Sequence, residues 1–345
     1  MTEPGTAPGT PPGWLPAARN GGHAYCDRID RAWPSLVGYY ADRYGHSAES
    51  IWRQRLAAGE ICRNGQRLRV DGPLAAGDQL VWHRPPWQEA AVPVLQQSAI
   101  VFDDGDLLVL HKPSGLPVLP AGGFLRHTLL AQLEALVEGA PRPVHRLGRF
   151  TSGLLVCARQ PSTRAWLSAQ LRDSTRIEAA QAAPADPCQK LYRALMAPLA
   201  ATWLPGDIHT VVAPIGRRPH PLLGEIWCAV APGSGEGLPA HSQFTLLERR
   251  PEACLVEVVI ATGRPHQIRI HAACLGAPLL GDPLYGPGGQ ARPDALPGDA
   301  GYRLHAHRLR LLRPDGSPLT LEAPPPQELQ QPLDQPRSKA SSREK

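Results

Sequence analysis

The stretch PVHRLGRFTSGLLVCAR, residues 143–159, holds basic side chains at a turn. His145, Arg146 and Arg149 precede the apolar run Leu154–Val156, which predicts a buried strand. A rigid strand can position the chemistry that its flanking loop presents. The centre of the turn is Gly148, and no carboxylate, cysteine or metal ligand stands beside it. The turn can therefore bind an anion, but it offers no nucleophile of its own.

A second basic cluster lies in VVIATGRPHQIRIHAACLGAPLLGDPLYG, residues 258–286. Pro265 suits a first helical position, so the pattern predicts a helix over Pro265–Leu275. Arg264, His266 and Arg269 then surround the helix start, where backbone N–H groups also favour an anion. The alternative is a basic helix start that faces solvent.

Composition sets broad limits on the function. The chain has 345 residues, 42% of them hydrophobic, with a net charge of +5 that permits a polyanionic partner without demanding one. Its seven cysteines include no C-x-x-C pair, which argues against a disulfide framework or a zinc site. We find no secretory signal in the N-terminal sequence and no apolar run of membrane-spanning length, so we expect a cytoplasmic protein.

Proline and glycine content divides the chain. We expect disordered tails at 1–27 and 324–345, a small module at 28–83, a linker at 84–93 and a main domain at 94–323. The main domain contains many short segments with strand-like sequence. Helices are expected at Leu125–Glu138, Ser162–Asp173 and Pro265–Leu275. This pattern predicts an α+β fold with a large mixed or mostly antiparallel sheet flanked by helices.

The small module combines helices with a basic hairpin. Helices are expected at Leu36–Tyr44 and from Ser47, as N-cap, to Ala58, followed by a hairpin turn at Asn64–Gly65. Its helix, Gly-x-Ile-x-x-Asn-Gly and strand resemble the alpha-L RNA-binding motif. That resemblance implies phosphate contacts from the module's arginines, whereas the alternative is a solvated charged face. The residues concerned are Arg53, Arg63, Arg67 and Arg69.

Five blocks of the main domain, in order, resemble the RluA-type RNA pseudouridine synthases. They are VLHKPSGLPV at 109–118, KLYRAL at 190–195, VVAPIGR at 211–217, GRPHQIRIHAACLGAPLLGDPLYG at 263–286 and LHAHRL at 304–309. The resemblance implies isomerisation of uridine to pseudouridine in ribosomal or transfer RNA, without cofactor or metal. The target nucleotide would be flipped into a pocket, where an aspartate held by an arginine acts on it.

The same resemblance assigns roles to individual residues. Tyr192 matches the tyrosine that stacks on the target base, and Arg146 matches an arginine associated with opening the flipped-base site. Arg269, with Arg264 as second choice, matches the partner of the catalytic aspartate. His145 and His266 fall among the RNA-binding positions. Lys112 supports either the fold or the RNA backbone, and Asp282 and Tyr285 are expected to be structural turn residues.

Gly148 departs from the family pattern, which reads His-Arg-Leu-Asp at this turn. Glycine has no side chain that could attack a sugar or a ring. Other acids could fold back towards the pocket: Asp103, Asp104, Asp106, Glu134, Glu138, Asp173 and Glu178. The connection 173–189 also looks long for the family, and it could form either a pocket edge or a surface loop.

Two hypotheses remain open from the sequence. The protein is either a pseudouridine synthase, active through a relocated acid or nearly inactive, or a non-catalytic RNA-binding or RNA-remodelling protein. In both, a buried Arg269 or Arg264 without an aspartate would need water, an anion, RNA phosphate or another carboxylate. RNA is the expected partner in either case, with no membrane or metal and a monomer as the default.

Overall fold

The computed structural model describes residues 11–173, 188–298 and 301–331. The helices of this part are α1 (Leu36–Arg43), α2 (Glu49–Ala57), α3 (Leu129–Leu136), α4 (Pro161–Asp173) and α5 (Gln267–Cys274). The strands are β1 (Trp14–Leu15), β2 (Ala18–Arg19), β3 (His23–Arg28), β4 (Ile61–Arg63), β5 (Gln66–Leu68), β6 (Gln79–Arg84), β7 (Gln88–Glu89), β8 (Val92–Pro93), β9 (Ile100–Asp103), β10 (Leu107–Lys112), β11 (Arg142–Pro143), β12 (Thr151–Ala158), β13 (Gln189–Met196), β14 (Ile208–Val211), β15 (Ile215–His220), β16 (Gly224–Ala229), β17 (Ser242–Arg249), β18 (Cys254–Ile260), β19 (Leu304–Leu312) and β20 (Pro318–Glu322).

Ten of these strands form one large sheet. Its order is β14-β17-β18-β13-β19-β12-β10-β9, with β11 beside β12 and β20 beside β19. All pairs in it are antiparallel except β12 with β19. Side chains alternate between two packed faces, because Leu108 and Leu110 enter one core cluster while Leu107 and Val109 enter another. The expected α+β architecture is confirmed.

The parallel pair β12–β19 is short, and this shapes the site. Pairing covers only Thr151–Gly153, opposite Leu304–Ala306, and the two strands then diverge. A Cβ on Gly153 would collide with the carbonyl oxygen of Ala306, so the close approach requires glycine there. Beyond the divergence, the segment before β12 folds back along the strand and fills the gap.

The helix starts differ from those that local signals predict. Ala48, not Ser47, is the N-cap of α2. The helix α3 begins after Thr128, because the Glu89 carboxylate binds the backbone N–H groups of Leu125–His127. Pro265 stays outside α5, because His266 adopts left-handed backbone angles (φ 57°, ψ 15°) as its N-cap.

The N-terminal module has its own core and a tie to the main domain. Its sheet β3-β6-β4-β5 packs with α1 and α2 around Tyr40 and Trp52. The predicted boundary of the disordered tail at residue 27 is wrong, because β1, β2 and β3 pair with β8, β7 and β6. The predicted linker 84–93 is part of that ribbon. Leu329 is also buried, so the ordered chain extends past the predicted end of the main domain at 323.

No helix within the described ranges is long and apolar enough to cross a membrane.

Candidate active site

A cavity of about 470 Å³ opens over one face of the large sheet. The loop before β12, the strand β13 and the start of α5 form its walls. The lining residues are Val144, His145, Arg146, Leu147, Gly148, Thr151, Ser168, Leu171, Lys190, Tyr192, Ile260, Gly263, Arg264, His266, Gln267, Ile268, Arg269, Tyr302 and Leu304. Cationic and neutral polar side chains are present among them, but no carboxylate.

Gly148 and Tyr302 meet because β12 and β19 run parallel. Thr151 pairs with Leu304, so the residues just before the two strands lie at the same edge of the sheet. The Tyr302 hydroxyl occupies the space into which a Cβ on Gly148 would project, and it lies 3.2 Å from the Thr151 hydroxyl. Any side chain at position 148 would therefore have to displace the tyrosine.

Arg269 is buried and is bound by a carboxylate. Its Nε and Nη2 donate to the two oxygens of Asp282, each at 2.6 Å, and the two side chains are 4% and 0% exposed. The guanidinium also lies 4.3 Å from the centre of the Tyr302 ring. Asp282 thus supplies the other carboxylate that a buried Arg269 requires. Asp282 also accepts hydrogen bonds from the backbone of Leu284 and Tyr285, as a turn residue does.

Two histidines of the cavity are held in the neutral form. Burial, with the charge of Lys190 as a smaller contribution, lowers the pKa of His145 to about 4. Burial, followed by the charge of Arg269, lowers the pKa of His266 to about 3. His145 Nε2 accepts a hydrogen bond from the backbone N–H of Val156 at 2.9 Å, which holds the ring against β12.

Tyr192 lies in the cavity wall, which Arg146 and Arg264 also line. Tyr192 sits in the middle of β13 between β18 and β19, and it is 9% exposed. Arg146 is exposed, and no described residue forms an ion pair or hydrogen bond with it. Arg264 donates through Nε to the Pro239 carbonyl at 2.8 Å. The structure thus brings together Arg146, Gly148, Tyr192, Arg264 and Arg269, as the sequence predicts.

Lys112 lies away from this cavity. Its side chain is fully buried, and the ammonium donates to the carbonyls of Pro113, Leu116 and Arg149 at 2.8–2.9 Å. With three carbonyl acceptors around it, the ammonium has no free direction for an RNA phosphate. Of the two roles considered for Lys112, its placement favours support of the fold.

The chain matches a known protein family and several known proteins. The family model described as RNA pseudouridylate synthase matches residues 106–274. A Synechocystis protein described as an uncharacterized RNA pseudouridine synthase is 42% identical over 299 residues, which cover 85% of this chain and 95% of that protein. The chain belongs to the RNA pseudouridine synthase family. RNA pseudouridine synthase 5 of Arabidopsis thaliana is 36% identical over 337 residues, covering 85% of this chain and 89% of that protein.

A solved structure was also found, that of human RNA pseudouridylate synthase domain containing 4. It is 22% identical in sequence, covers 67% of this chain and 90% of its own, and has a TM-score of 0.48.

Among the acids expected as possible substitutes, those whose side chains the structure describes do not line the cavity. Asp103 pairs with Arg159, Glu134 pairs with Arg142, and Asp106 accepts from Thr163. Asp104 caps its own turn at Leu107, and Glu138 is not among the lining residues. Glu178 and most of the connection 173–189 lie outside the described residues, as does the side chain of Asp173. Within the described ranges, no group of His, Cys, Asp and Glu is arranged to hold a metal ion.

The arginines of the N-terminal module are mostly engaged. Arg53 forms an ion pair with Glu49 at 2.8 Å and Arg63 with Asp78 at 2.7 Å. Arg69 donates to the carbonyl of Ala57. Arg67 is exposed next to Gly59, and no ion pair joins it to a described residue. The module therefore presents a smaller free positive surface than its composition indicates.

Sequence reasoning missed Tyr302 altogether and missed the contact of Asp282 with Arg269. Tyr302 stands just before the LHAHRL block, and nothing in the sequence indicates that its strand runs parallel to β12. Asp282 was expected to be a turn residue, and its spacing from Arg269 does not show that the two meet.

Proposed function

We propose that the protein binds structured RNA, ribosomal or transfer, and takes an extruded uridine into the cavity without isomerising it. The observation that carries the proposal is the Gly148–Tyr302 contact. Gly148 stands where the family resemblance expects the catalytic aspartate, and the hydroxyl of Tyr302 fills its side-chain space. The cavity keeps the residues for binding a nucleotide but has no described carboxylate in its wall.

Binding is supported by the remaining side chains. Tyr192 offers an aromatic ring for stacking on a base, a contact worth about 1–3 kcal/mol in single-stranded nucleic-acid sites. Arg146 and Arg264 present guanidinium donors in the lining of the cavity, and such donors suit phosphate oxygens. Extrusion of a base costs a few kcal/mol of lost stacking, which these contacts offset.

Asp282 is poorly placed to act as a substitute nucleophile. Both of its oxygens bind Arg269, one of them also accepts two backbone N–H groups, and its side chain has no exposed surface. It would have to break a buried ion pair to reach a nucleotide. Asp282 therefore holds Arg269 in place, and the described residues supply the cavity with no reactive acid.

A second candidate function is uridine isomerisation with an acid supplied from elsewhere in the chain. Its support is the 42% sequence identity to the Synechocystis protein described as an uncharacterized RNA pseudouridine synthase. The matched region covers 95% of that protein. Both candidates use the same RNA and the same cavity, and they differ only in whether the glycosidic bond moves.

The deciding experiment is tritium release from RNA labelled at carbon five of uridine, with mixed ribosomal and transfer RNA as substrate. The natural protein is compared with Gly148→Asp, Tyr302→Phe and Gly148→Asp/Tyr302→Phe. Because the tyrosine hydroxyl blocks position 148, we expect release from the double variant and little or none from either single variant. Retained RNA binding by the silent proteins supports the proposal.

Release by the natural protein would overturn the binding-only proposal in favour of the second candidate. Gly148→Ala, alone and with Tyr302→Phe, serves as the steric control. It introduces a Cβ without a carboxylate, so it should give no release in either background.

A further inference from the structure

The ring of His266 has a fixed proton position. The Tyr285 hydroxyl donates to the backbone carbonyl of Trp227 at 2.7 Å, and a carbonyl can only accept. The same hydroxyl lies 2.7 Å from His266 Nδ1, so it must accept a hydrogen from that nitrogen. With its pKa lowered to about 3, the ring is neutral and Nε2 carries a lone pair.

This lone pair is placed at the cavity. His266 lines the cavity, whereas Tyr285 is fully buried and is not among the lining residues. The nitrogen that binds Tyr285 is therefore turned away, and no described residue forms a hydrogen bond with Nε2. The hydrogen bond to Tyr285 holds the ring in this position, and His266 adopts left-handed backbone angles that are uncommon for a residue other than glycine.

The neighbouring charged and imidazole groups are donors. The guanidinium groups of Arg146, Arg264 and Arg269 cannot accept a hydrogen bond. The neutral His145 uses Nε2 to accept from Val156, so its Nδ1 carries the proton. The hydroxyl groups in the wall can rotate to donate or accept. His266 Nε2 is thus a fixed acceptor, and the charged and imidazole groups named here are donors.

The Watson–Crick edge of uracil has the complementary pattern, because its N3–H donates and the flanking O2 and O4 accept. Cytosine presents an acceptor at N3, which would face the lone pair of Nε2. We propose that His266 Nε2 accepts the N3 imino hydrogen of an extruded uracil and thereby selects uridine over cytidine. This inference rests on the proposed function, since it assumes that the cavity receives a base.

The test uses the full-length protein with uridine, cytidine and 3-methyluridine 5′-monophosphates as probes. Affinities are measured by calorimetric titration, and the His266 ring nitrogens are followed by ¹⁵N NMR. We expect uridine monophosphate to bind about 10- to 100-fold more tightly than the other two, the range for a buried polar group left unpaired. The Nε2 resonance should shift with uridine monophosphate alone.

The informative variant is His266→Gln, because an amide can turn either its oxygen or its NH₂ towards the base. Discrimination between uridine and cytidine monophosphates should fall to within about twofold. The matched control, His83→Gln, changes an exposed histidine of the N-terminal module and should leave discrimination unchanged.

Equal binding of all three nucleotides with an unmoved Nε2 resonance would overturn this inference and leave the proposed function standing. An unchanged preference in His266→Gln would overturn it as well. Absence of binding by any nucleotide and by mixed transfer and ribosomal RNA would overturn both proposals.

Discussion

The arginines of the N-terminal module and those of the cavity differ in their burial and in their ion-pair partners. In the module, Arg53 pairs with Glu49 at the surface, and the partly exposed Arg63 pairs with the buried Asp78. In the cavity, Arg269 is buried against Asp282, while Arg146 has no ion-pair partner among the described residues. Arginine content alone thus overstates the free charge of the module, and Arg269–Asp282 is the most deeply buried of the described ion pairs.

The largest expected difference between the two regions is in their response to acid. His145, His266, His271 and His305 have pKa values lowered mainly by burial to about 4, 3, 4 and 4, against 6.5 in an unfolded chain. Below pH 6.5 the unfolded chain binds these protons and the folded chain does not, so stability falls as pH falls from 6.5 towards 4. Each histidine contributes at most about 1.4 kcal/mol per pH unit.

We therefore expect the main domain to lose at least about 4 kcal/mol of unfolding free energy between pH 7 and pH 5. The module contains one histidine, His46, whose pKa is lowered by burial, and it should lose much less. Urea unfolding followed by hydrogen exchange in each region measures the stability of the main domain and of the module at the two pH values. A main domain equally stable at pH 7 and pH 5 would contradict the buried, neutral histidines.

Removal of one acid from each region gives the next largest contrast. Asp282→Ala leaves the buried Arg269 without its partner and should cost about 3–5 kcal/mol. Glu49→Ala removes the partner of Arg53, where both side chains are more than half exposed, and should cost less than about 0.5 kcal/mol. Chemical denaturation at neutral pH measures the unfolding free energy of both variants. Similar losses would show that the buried and the exposed ion pair contribute equally to stability.

The smallest expected effect is on RNA affinity. Arg146→Ala removes a guanidinium that has no ion-pair partner among the described residues. Binding to mixed transfer RNA should therefore weaken about tenfold, and the slope of log K against log salt concentration should decrease in magnitude by about one. Arg53→Ala removes a charge already paired with Glu49, so the change should stay within about twofold. Filter binding at several salt concentrations measures the RNA affinity of both variants and its salt dependence. The reverse order would place the main RNA contact on the module.

The sequence predicted those features that depend on local pattern or on family blocks. The fold class and the grouping of Arg146, Gly148, Tyr192, Arg264 and Arg269 around one cavity are of this kind. Features that depend on long-range contacts were missed. The left-handed His266 overrides the helix-start signal of Pro265, because its ring is tied to Tyr285.

The predicted boundary of the N-terminal tail was wrong for the same reason. Pro- and Gly-rich composition around Trp14 indicated disorder, but the strand β1 gains its order from β8, 77 residues away along the chain at Leu15–Val92. Tyr302 reaches Gly148 only through the parallel pairing of β12 with β19. Composition and periodicity carry no information about such pairings.

The ribbon formed by β1–β3 with β6–β8 has a mechanical consequence. Both the chain that enters the module and the chain that leaves it run side by side in hydrogen-bonded register, and Glu89 fastens this pair to the backbone ahead of α3. A single-stranded tether swivels about individual backbone torsions, whereas a two-stranded strap bends in one plane and resists rotation about its length. The module is therefore joined to the main domain by paired strands, which restrict its rotation more than a single strand would.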